Sequence, residues 1–267
     1  MQVVILCGGL GTRLREETEF RPKPMVNIGA RPILWHIMKI YSHYGLNDFV
    51  LALGYKGEMI KEYFCHYEWV NNDVTLELGK PENMLIHDCH EEAGWRITLS
   101  NTGAKTLKGG RIKKIQKYIQ GDTFMLTYGD GVSDVNIKDL LDFHKSHGKA
   151  VTLTGVSPAK RFGELKLDGN QVVSFQEKPD ASEGLINGGF FVCNRKVFDY
   201  LTAEDDCDFE YGPLERLAEE GELMVYRHPG FWACMDTLRD MDYLNGLWDR
   251  NESPWKVWDC DQTKENP

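Results

Sequence analysis

The sequence predicts an α/β fold built on a mostly parallel mixed sheet flanked by helices. Three observations carry this expectation. The apolar run Val3 to Leu6 is stopped by glycine, as in a parallel strand buried on both faces. The apolar spacing then switches to a helical period at Ile33, Ile37, Ile40, Tyr41 and Tyr44. The resulting βαβα alternation resumes after residue 110, which is the pattern of a parallel sheet with helices on its faces.

In chain order, the first helix is expected over Arg31 to Tyr44, with Pro32 at its first position and Gly45 as its stop. Asp48 to Tyr55 follows as a strand and Lys56 to Phe64 as a helix. Between Cys65 and Gly110 the regularity weakens, leaving short candidate strands at Val74 to Leu78 and Arg96 to Ser100. That stretch reads as a small β-containing insertion of about residues 65–110 carried on the sheet. Order returns with a helix over Gly110 to Ile119 and a strand from Thr123 to Tyr128 that runs into Gly129-Asp130-Gly131. Ligands gather beyond the carboxyl ends of parallel strands, which is where Asp130 falls. A helix over Ile137 to His147 and a strand over Ala150 to Val156 come next. Gly163 to Leu167 and Val172 to Gln176 flank Asp168-Gly169-Asn170, a hairpin signal. The run "GGFFVC" is a further strand, Val197 to Leu201 and Tyr211 to Glu220 are expected helices, and Leu223 to His228 a strand. A final helix is expected from about Thr237 to Trp248, opening a helical tail of about residues 237–267. No repeat, Gly/Ser linker or low-complexity run divides the chain, so a single domain over 1–267 is the economical reading.

With 267 residues, 42% of them hydrophobic, the chain can bury a sizeable core unaided. Its formal charge of −10 argues against nucleic acid or an anionic membrane as partner, since either requires a basic stripe. A small anionic substrate needs only a locally basic pocket. Seven scattered cysteines without a C-x-x-C, and an apolar start lacking a basic leader, point to reduced thiols and a cytoplasmic location. No segment has the length and apolarity of a transmembrane helix.

The stretch "LCGGLGTRLREETEFRPKPM" (Leu6 to Met25) carries the chemistry. It is not a dinucleotide fingerprint, because Leu14 stands where the third glycine of G-x-G-x-x-G belongs, and it lacks the Gly-Lys-Ser/Thr of a Walker loop. What remains is a glycine turn whose bare backbone can approach a base or phosphate, with Arg13 and Lys23 supplying charge. Arginine grips phosphate oxygens bidentately and lysine acts as a mobile point charge. Prolines on both sides of Lys23 restrict its backbone. Taken alone, the same stretch also reads as a surface glycine turn with solvated charges.

The ordered set "GGLGTRL…RPKPM", "PILWHIM", "GYKGEMIKEYF", "TYGDG", "FGEL", "FQEKP", "NGGFFV" and "HPGFWACMDTLRD" resembles the sugar-1-phosphate nucleotidyltransferases over residues 1 to about 258. The insertion with "NTG…GGRIKK" and the motif "WACMDTLRD" resemble the cytidylyl branch of that family. The resemblance implies a Rossmann-like nucleotidyltransferase fold, Mg²⁺ as cofactor, and transfer of CMP from CTP to a sugar 1-phosphate, glucose 1-phosphate in that branch, with release of pyrophosphate. It also implies a homo-oligomer and a product used in deoxysugar and surface-polysaccharide synthesis.

By the same resemblance, Arg13 and Lys23 are the cations of the triphosphate and transition state. Leu6, Cys7, Gly8, Gly9, Leu10, Gly11 and Thr12 wrap the nucleotide through backbone groups, joined by Thr106, Arg111 and Gly129. Asp130 and Asp236 form the metal-binding pair, with Asp130 counted beside Arg13 and Lys23 among the catalytic residues. Gly163, Glu177, Lys178, Asn187 and Gly188 surround the sugar phosphate. Read singly, Asp130 is a Gly-Asp-Gly turn, Asp236 a helix cap before Thr237, Arg111 a solvated charge at a helix start, and "EKP" a charged strand end. A relative using another nucleotide or sugar, and a sensor that keeps the fold without turnover, stay open as alternatives. An oxidoreductase is disfavoured by the missing third glycine. The tail tryptophans Trp248, Trp255 and Trp258 suit packing or a subunit contact better than base stacking.

Overall fold

The computed structural model describes residues 1–9, 11–80, 83–87, 90–157, 164–168, 171–176 and 184–258. Seven strands make the central sheet: β1 (Gln2–Cys7), β2 (Asp48–Leu53), β3 (Arg96–Asn101), β4 (Thr123–Tyr128), β5 (Val151–Val156), β6 (Ile186–Asn194) and β7 (Leu223–His228). Their spatial order is β7-β5-β6-β4-β1-β2-β3. All neighbours are parallel except β6, which runs antiparallel to both β5 and β4. This is the mostly parallel α/β sheet that the alternation predicts.

The apolar N-terminal run is buried on both faces because it feeds two cores. Val3, Ile5 and Cys7 join one hydrophobic cluster and Val4 and Leu6 the other, following the two-residue period of a strand. On the first face lies helix α1 (Ile33–His43), whose Ile33, Ile37, Ile40 and Tyr41 are all buried. Pro32 sits just outside that helix as its cap, one place earlier than expected, and Gly45 takes a positive φ of 75° beyond its end. Helix α2 (Gly57–Cys65) follows β2. Helix α3 (Lys108–Lys114) begins two residues before its predicted start and gives way to a tighter turn at Gln116–Tyr118. Its Ile112 packs in the second cluster. Helix α4 (Ile137–His147) has the predicted bounds, with Asn136 accepting from the Lys138 and Asp139 amides. Helix α5 (Leu238–Asp249) starts on a Thr237–Asp240 capping box.

Three differences from the sequence expectation have local causes. Arg96–Asn101 pairs in parallel with β2 and forms an edge of the main sheet, while Val74–Leu76 pairs, among the described residues, only with Met84–Ile86 in a separate hairpin. An edge strand is half covered, so its apolar pattern is weak. Val197 to Leu201 winds into a tight turn over Arg195–Tyr200 rather than an α-helix. The stretch Tyr211 to Glu220 is α-helical only from Glu215 to Glu219, because Gly212 lies at φ 94° and Pro213 follows it. The hairpin predicted around Asp168 is present as Glu164–Asp168 paired with Gln171–Gln176.

The tail tryptophans are packing residues within the subunit. Trp255 is fully buried and stacks on Phe231 at 5.6 Å, and Trp258 meets Trp35 edge-on at 5.7 Å. Among the described residues, no helix is long and apolar enough to cross a membrane. The five described cysteines, Cys7, Cys65, Cys193, Cys207 and Cys234, are free thiols.

Candidate active site

From β1 the chain moves outward to β2 and β3, then returns to the other side of β1 as β4. That reversal opens a crevice between the carboxyl ends of β1 and β4, the place where open α/β sheets bind ligands. Cys7 leads from β1 into the glycine loop, and Tyr128 leads from β4 into Gly129-Asp130. Gly129 has to be glycine: a Cβ there would stand 2.8 Å from the Leu6 carbonyl oxygen.

A short pairing missed by the sequence reading completes the centre. Gly131–Ser133 runs antiparallel to Trp232–Cys234, and the Met235 amide donates to the Asp130 carbonyl at 2.8 Å. This three-residue ladder delivers Asp236 beside Asp130. Thr237, not Asp236, caps α5, which leaves the Asp236 carboxylate free to face the crevice.

Both carboxylates converge on one ammonium. Lys23 Nζ donates to Asp130 Oδ2 at 2.6 Å and to Asp236 Oδ1 at 2.5 Å, and Arg13 Nη1 donates to Asp236 Oδ2 at 2.8 Å. Lys23 sits on a tight turn between the buried prolines Pro22 and Pro24, which fixes its backbone. Its side chain is only 12% exposed, whereas that of Arg13 is 76% exposed. Burial works to lower the Lys23 pKa, but the charges and hydrogen bonds of Asp130 and Asp236 outweigh it and hold the amine above its usual value. Burial likewise works to raise Asp236, and Lys23 followed by Arg13 brings it below its usual value instead.

Two cavities meet at this centre. The first, of about 270 Å³, is lined by Leu6, Gly8, Gly9, Lys23, Thr106, Arg111 and Gly129, among others. The second, of about 220 Å³, is lined by Arg13, Gly188, Trp232, Cys234 and Asp236, among others. Asp130, Tyr128 and Lys108 line both. A third cavity of about 300 Å³, between Phe64, Tyr67, His90 and Trp95, contains none of these residues and lies apart from the centre.

Most of the candidate residues therefore come together. Leu6, Gly8, Gly9, Lys23, Thr106, Arg111 and Gly129 surround the first cavity, and Gly188 the second. Asn187 stands at the second cavity's edge, donating from Nδ2 to the Tyr128 hydroxyl at 3.0 Å. Arg13 borders the second cavity rather than the first. Cys7 turns its side chain into the core, where burial pushes its thiol pKa well up, so only its backbone faces the loop. Thr12 is exposed, and Gly11 makes the turn with φ 62°. Leu10, Gly163, Glu177 and Lys178 lie outside the described residues.

Arg111 is buried rather than solvated. Its Nη1 donates to the carbonyls of Leu53 at 3.1 Å and Gly103 at 2.7 Å and to Thr102 Oγ1 at 2.7 Å, and its Nη2 donates to the Gly8 carbonyl at 2.9 Å. One guanidinium thus ties the end of β2, the loop after β3 and the glycine loop together. Gly8 is glycine for this reason, since a Cβ would sit 2.1 Å from Arg111 Cζ. Thr106 is equally internal, donating to the Thr102 carbonyl at 2.7 Å and to Asp205 Oδ1 at 2.6 Å. Sequence reasoning overlooked Lys108, Tyr128 and Trp232. The position of Tyr128 immediately before Gly-Asp-Gly was a usable signal, because a residue at the last position of that strand borders the crevice.

Two carboxylates and two cations at the junction of two cavities can align and neutralise a pair of anions. The family described as "Nucleotidyl transferase" matches residues 2–245. The chain is 52% identical over 260 residues to a glucose-1-phosphate cytidylyltransferase of Salmonella typhi, covering 97% of this chain and all of that one. A glucose-1-phosphate cytidylyltransferase of Salmonella typhimurium is similar to the same extent, 52% over 260 residues with the same coverage. In fold the chain is similar to HddC from Yersinia pseudotuberculosis, with a TM-score of 0.67 at 24% identity over 92% of this chain and 99% of that one. A UDP-glucose pyrophosphorylase complexed with UDP-glucose gives 0.67 at 13% identity over 94% and 98%. By its sequence, the chain belongs to the nucleotidyl transferase family.

Proposed function

We propose that the chain transfers CMP from CTP to α-D-glucose 1-phosphate, giving CDP-glucose and pyrophosphate, with Mg²⁺ as its cofactor. The observation that carries this reading is the convergence of Asp130 and Asp236 on one positive centre, where the two cavities meet. The relatives at 52% identity support the choice of nucleotide and sugar.

The first cavity takes the nucleotide and the second the sugar phosphate. An oxygen of the sugar phosphate, ionised near neutral pH, attacks the α-phosphorus of CTP. The new O–P bond forms as the bond to the β-phosphate oxygen breaks, and its electron pair leaves with pyrophosphate. No proton moves, so no general base is needed and catalysis reduces to alignment and charge neutralisation. Lys23, held protonated, offers fixed charge beside the reacting phosphate, and Arg13 meets the phosphates from the second cavity. Arg111 shapes the glycine loop and adds a buried positive charge to the nucleotide's surroundings. Gly163, Glu177 and Lys178 complete the sugar-phosphate site together with Asn187 and Gly188.

The donor set fits a hard divalent cation: carboxylate oxygens from two loops reach a common point, and substrate phosphates would complete the shell. Asp130 and Asp236 would hold it, and when bound it supplies Lewis-acid neutralisation of the α-phosphate. We place the reaction in the cytoplasm; we also place it in a homo-oligomer, and that second reading is supported by the exposed apolar side chains Leu76, Leu78 and Leu85 on the hairpin.

The test is pyrophosphate release from a panel of nucleoside triphosphates and sugar 1-phosphates with Mg²⁺. CTP with glucose 1-phosphate is expected to be the best pair. Failure of that pair beside success of another overturns the specificity, and CTP binding without turnover on any acceptor turns the reading to a sensor.

A further inference from the structure

The wall between the two cavities is organised by a residue outside the motifs. Tyr128 donates from its hydroxyl to Glu210 Oε1 at 2.6 Å, and Lys108 Nζ donates to the same oxygen. The Lys108 ammonium also lies 5.0 Å from the centroid of the Tyr128 ring. Both partners line both cavities. The second carboxylate oxygen, Glu210 Oε2, is buried without a hydrogen-bond partner among the described residues.

The backbone places this carboxylate firmly. Asp208 Oδ1 accepts from the Glu210 amide at 2.9 Å, and the Gly110 amide donates to the Cys207 carbonyl at 2.9 Å. The approach is close enough that a Cβ on Gly109 would stand 2.5 Å from the Asp208 carbonyl oxygen. The start of α3 and the loop before Glu210 are therefore packed backbone against backbone, which fixes Lys108 and Glu210 relative to each other.

The charge distribution indicates which substrate this wall serves. The first cavity already holds Lys23 and Arg111. The second has, among the described residues, only Arg13, largely exposed and paired with Asp236, besides Lys108. Tyr128 faces the same side, since its hydroxyl accepts from Asn187 and its ring would stand 2.6 Å from a Cβ on Gly189. Burial first, and then the Glu210 carboxylate, keep that hydroxyl protonated, so it remains the donor in the pair.

We propose that Glu210 is a positioning residue for the sugar phosphate: it holds the Tyr128 hydroxyl and the Lys108 ammonium as one wall, presenting Lys108 to the acceptor's phosphate. The inference rests on the reading of the second cavity as the acceptor site. Its test uses whichever nucleotide and sugar phosphate the wild-type chain turns over, so failure of the CTP and glucose assignment is seen separately.

The variants are Glu210→Ala, Glu210→Gln, Tyr128→Phe and the Glu210→Ala/Tyr128→Phe pair, each measured for kcat/KM of the sugar phosphate, nucleotide dissociation constant without acceptor, and Tm. Glu210→Ala is expected to lower sugar-phosphate kcat/KM by about tenfold or more while the nucleotide dissociation constant stays within about twofold. Glu210→Gln, which still accepts from Tyr128, should recover part of the loss. The double variant should cost little more than the worse single one, because both remove the same wall. A sugar-phosphate kcat/KM in Glu210→Ala within about twofold of wild type, or a parallel loss of both substrates with a lowered Tm, overturns the proposal.

Discussion

Lys23 and Arg111 line the same cavity, yet they are buried in opposite ways. Lys23 spends its donors on two carboxylates, so its charge is locally cancelled until an anionic substrate or a competing cation rearranges the pairs. Arg111 spends its donors on carbonyl and hydroxyl oxygens, so no carboxylate among the described residues pairs with it directly, and its geometry holds three chain segments together. The difference separates exchangeable chemistry from scaffold within one pocket. It follows that damage to the Lys23 centre should appear in turnover, and damage to the Arg111 clamp in stability.

The sharpest way to break this contrast is at the carboxylates. Asp130→Asn and Asp236→Asn should each lower kcat by about a hundredfold to a thousandfold while leaving Tm within a few degrees. Steady-state pyrophosphate release at limiting and saturating Mg²⁺ measures the first quantity and thermal unfolding the second. Near-normal turnover in both variants at limiting Mg²⁺ removes the metal pair from the mechanism.

At Arg111 the expected order reverses. Arg111→Ala leaves the carbonyls of Leu53, Gly8 and Gly103 without their donor in a buried setting, at a cost of about 3 kcal/mol in folding stability. Arg111→Lys should recover less than half of that, because a single ammonium cannot span the fork. Denaturant unfolding checks both, and unchanged stability in Arg111→Ala would show that the clamp is not what orders the glycine loop.

The same contrast explains what could be read from the sequence. The fold was legible because β1 and β4 are apolar runs with sharp glycine ends, and α1 and α4 have clear periodicity. The edge strand β3 was obscured because one face is open, and Gly109-Gly110 hid the start of α3 because a glycine pair disfavours helix in isolation. The site was legible where a residue's role is local: Lys23 between prolines, Asp130 at a strand end. Where a role depends on distant pairing, as for Asp236, it was legible through the family resemblance and not from the residues alone. Nothing in the sequence announces that Gly131–Ser133 meets Trp232–Cys234, which is the contact that brings Asp236 to Asp130. Arg111 was placed at the nucleotide by the family resemblance, but its clamp was not legible, because its oxygen partners include backbone atoms of Gly8, Leu53 and Gly103, and backbone acceptors carry no side-chain signature.

The smallest effect is the one that tests the electrostatic half of the comparison directly. Asp236 has a folded pKa below its usual value, so the stabilisation it draws from Lys23 and Arg13 is present above that usual value and is lost as pH falls through the folded one. Lys23 has a raised pKa, so its contribution is complete below its usual value near 10.4 and stays flat through neutral pH. The substrate-free protein and its Asp236→Asn variant should therefore differ in Tm by about 2–4 °C at pH 7. That gap should hold between pH 6 and 9, begin to narrow as pH falls to about 4, and close only below the lowered folded value, where protonation makes the wild-type carboxyl as neutral as the amide. A gap that persists unchanged at acid pH would show that the Asp236 contribution lies in packing or hydrogen bonding rather than in charge. The Lys23 centre would then be a second scaffold rather than the counterpart of one.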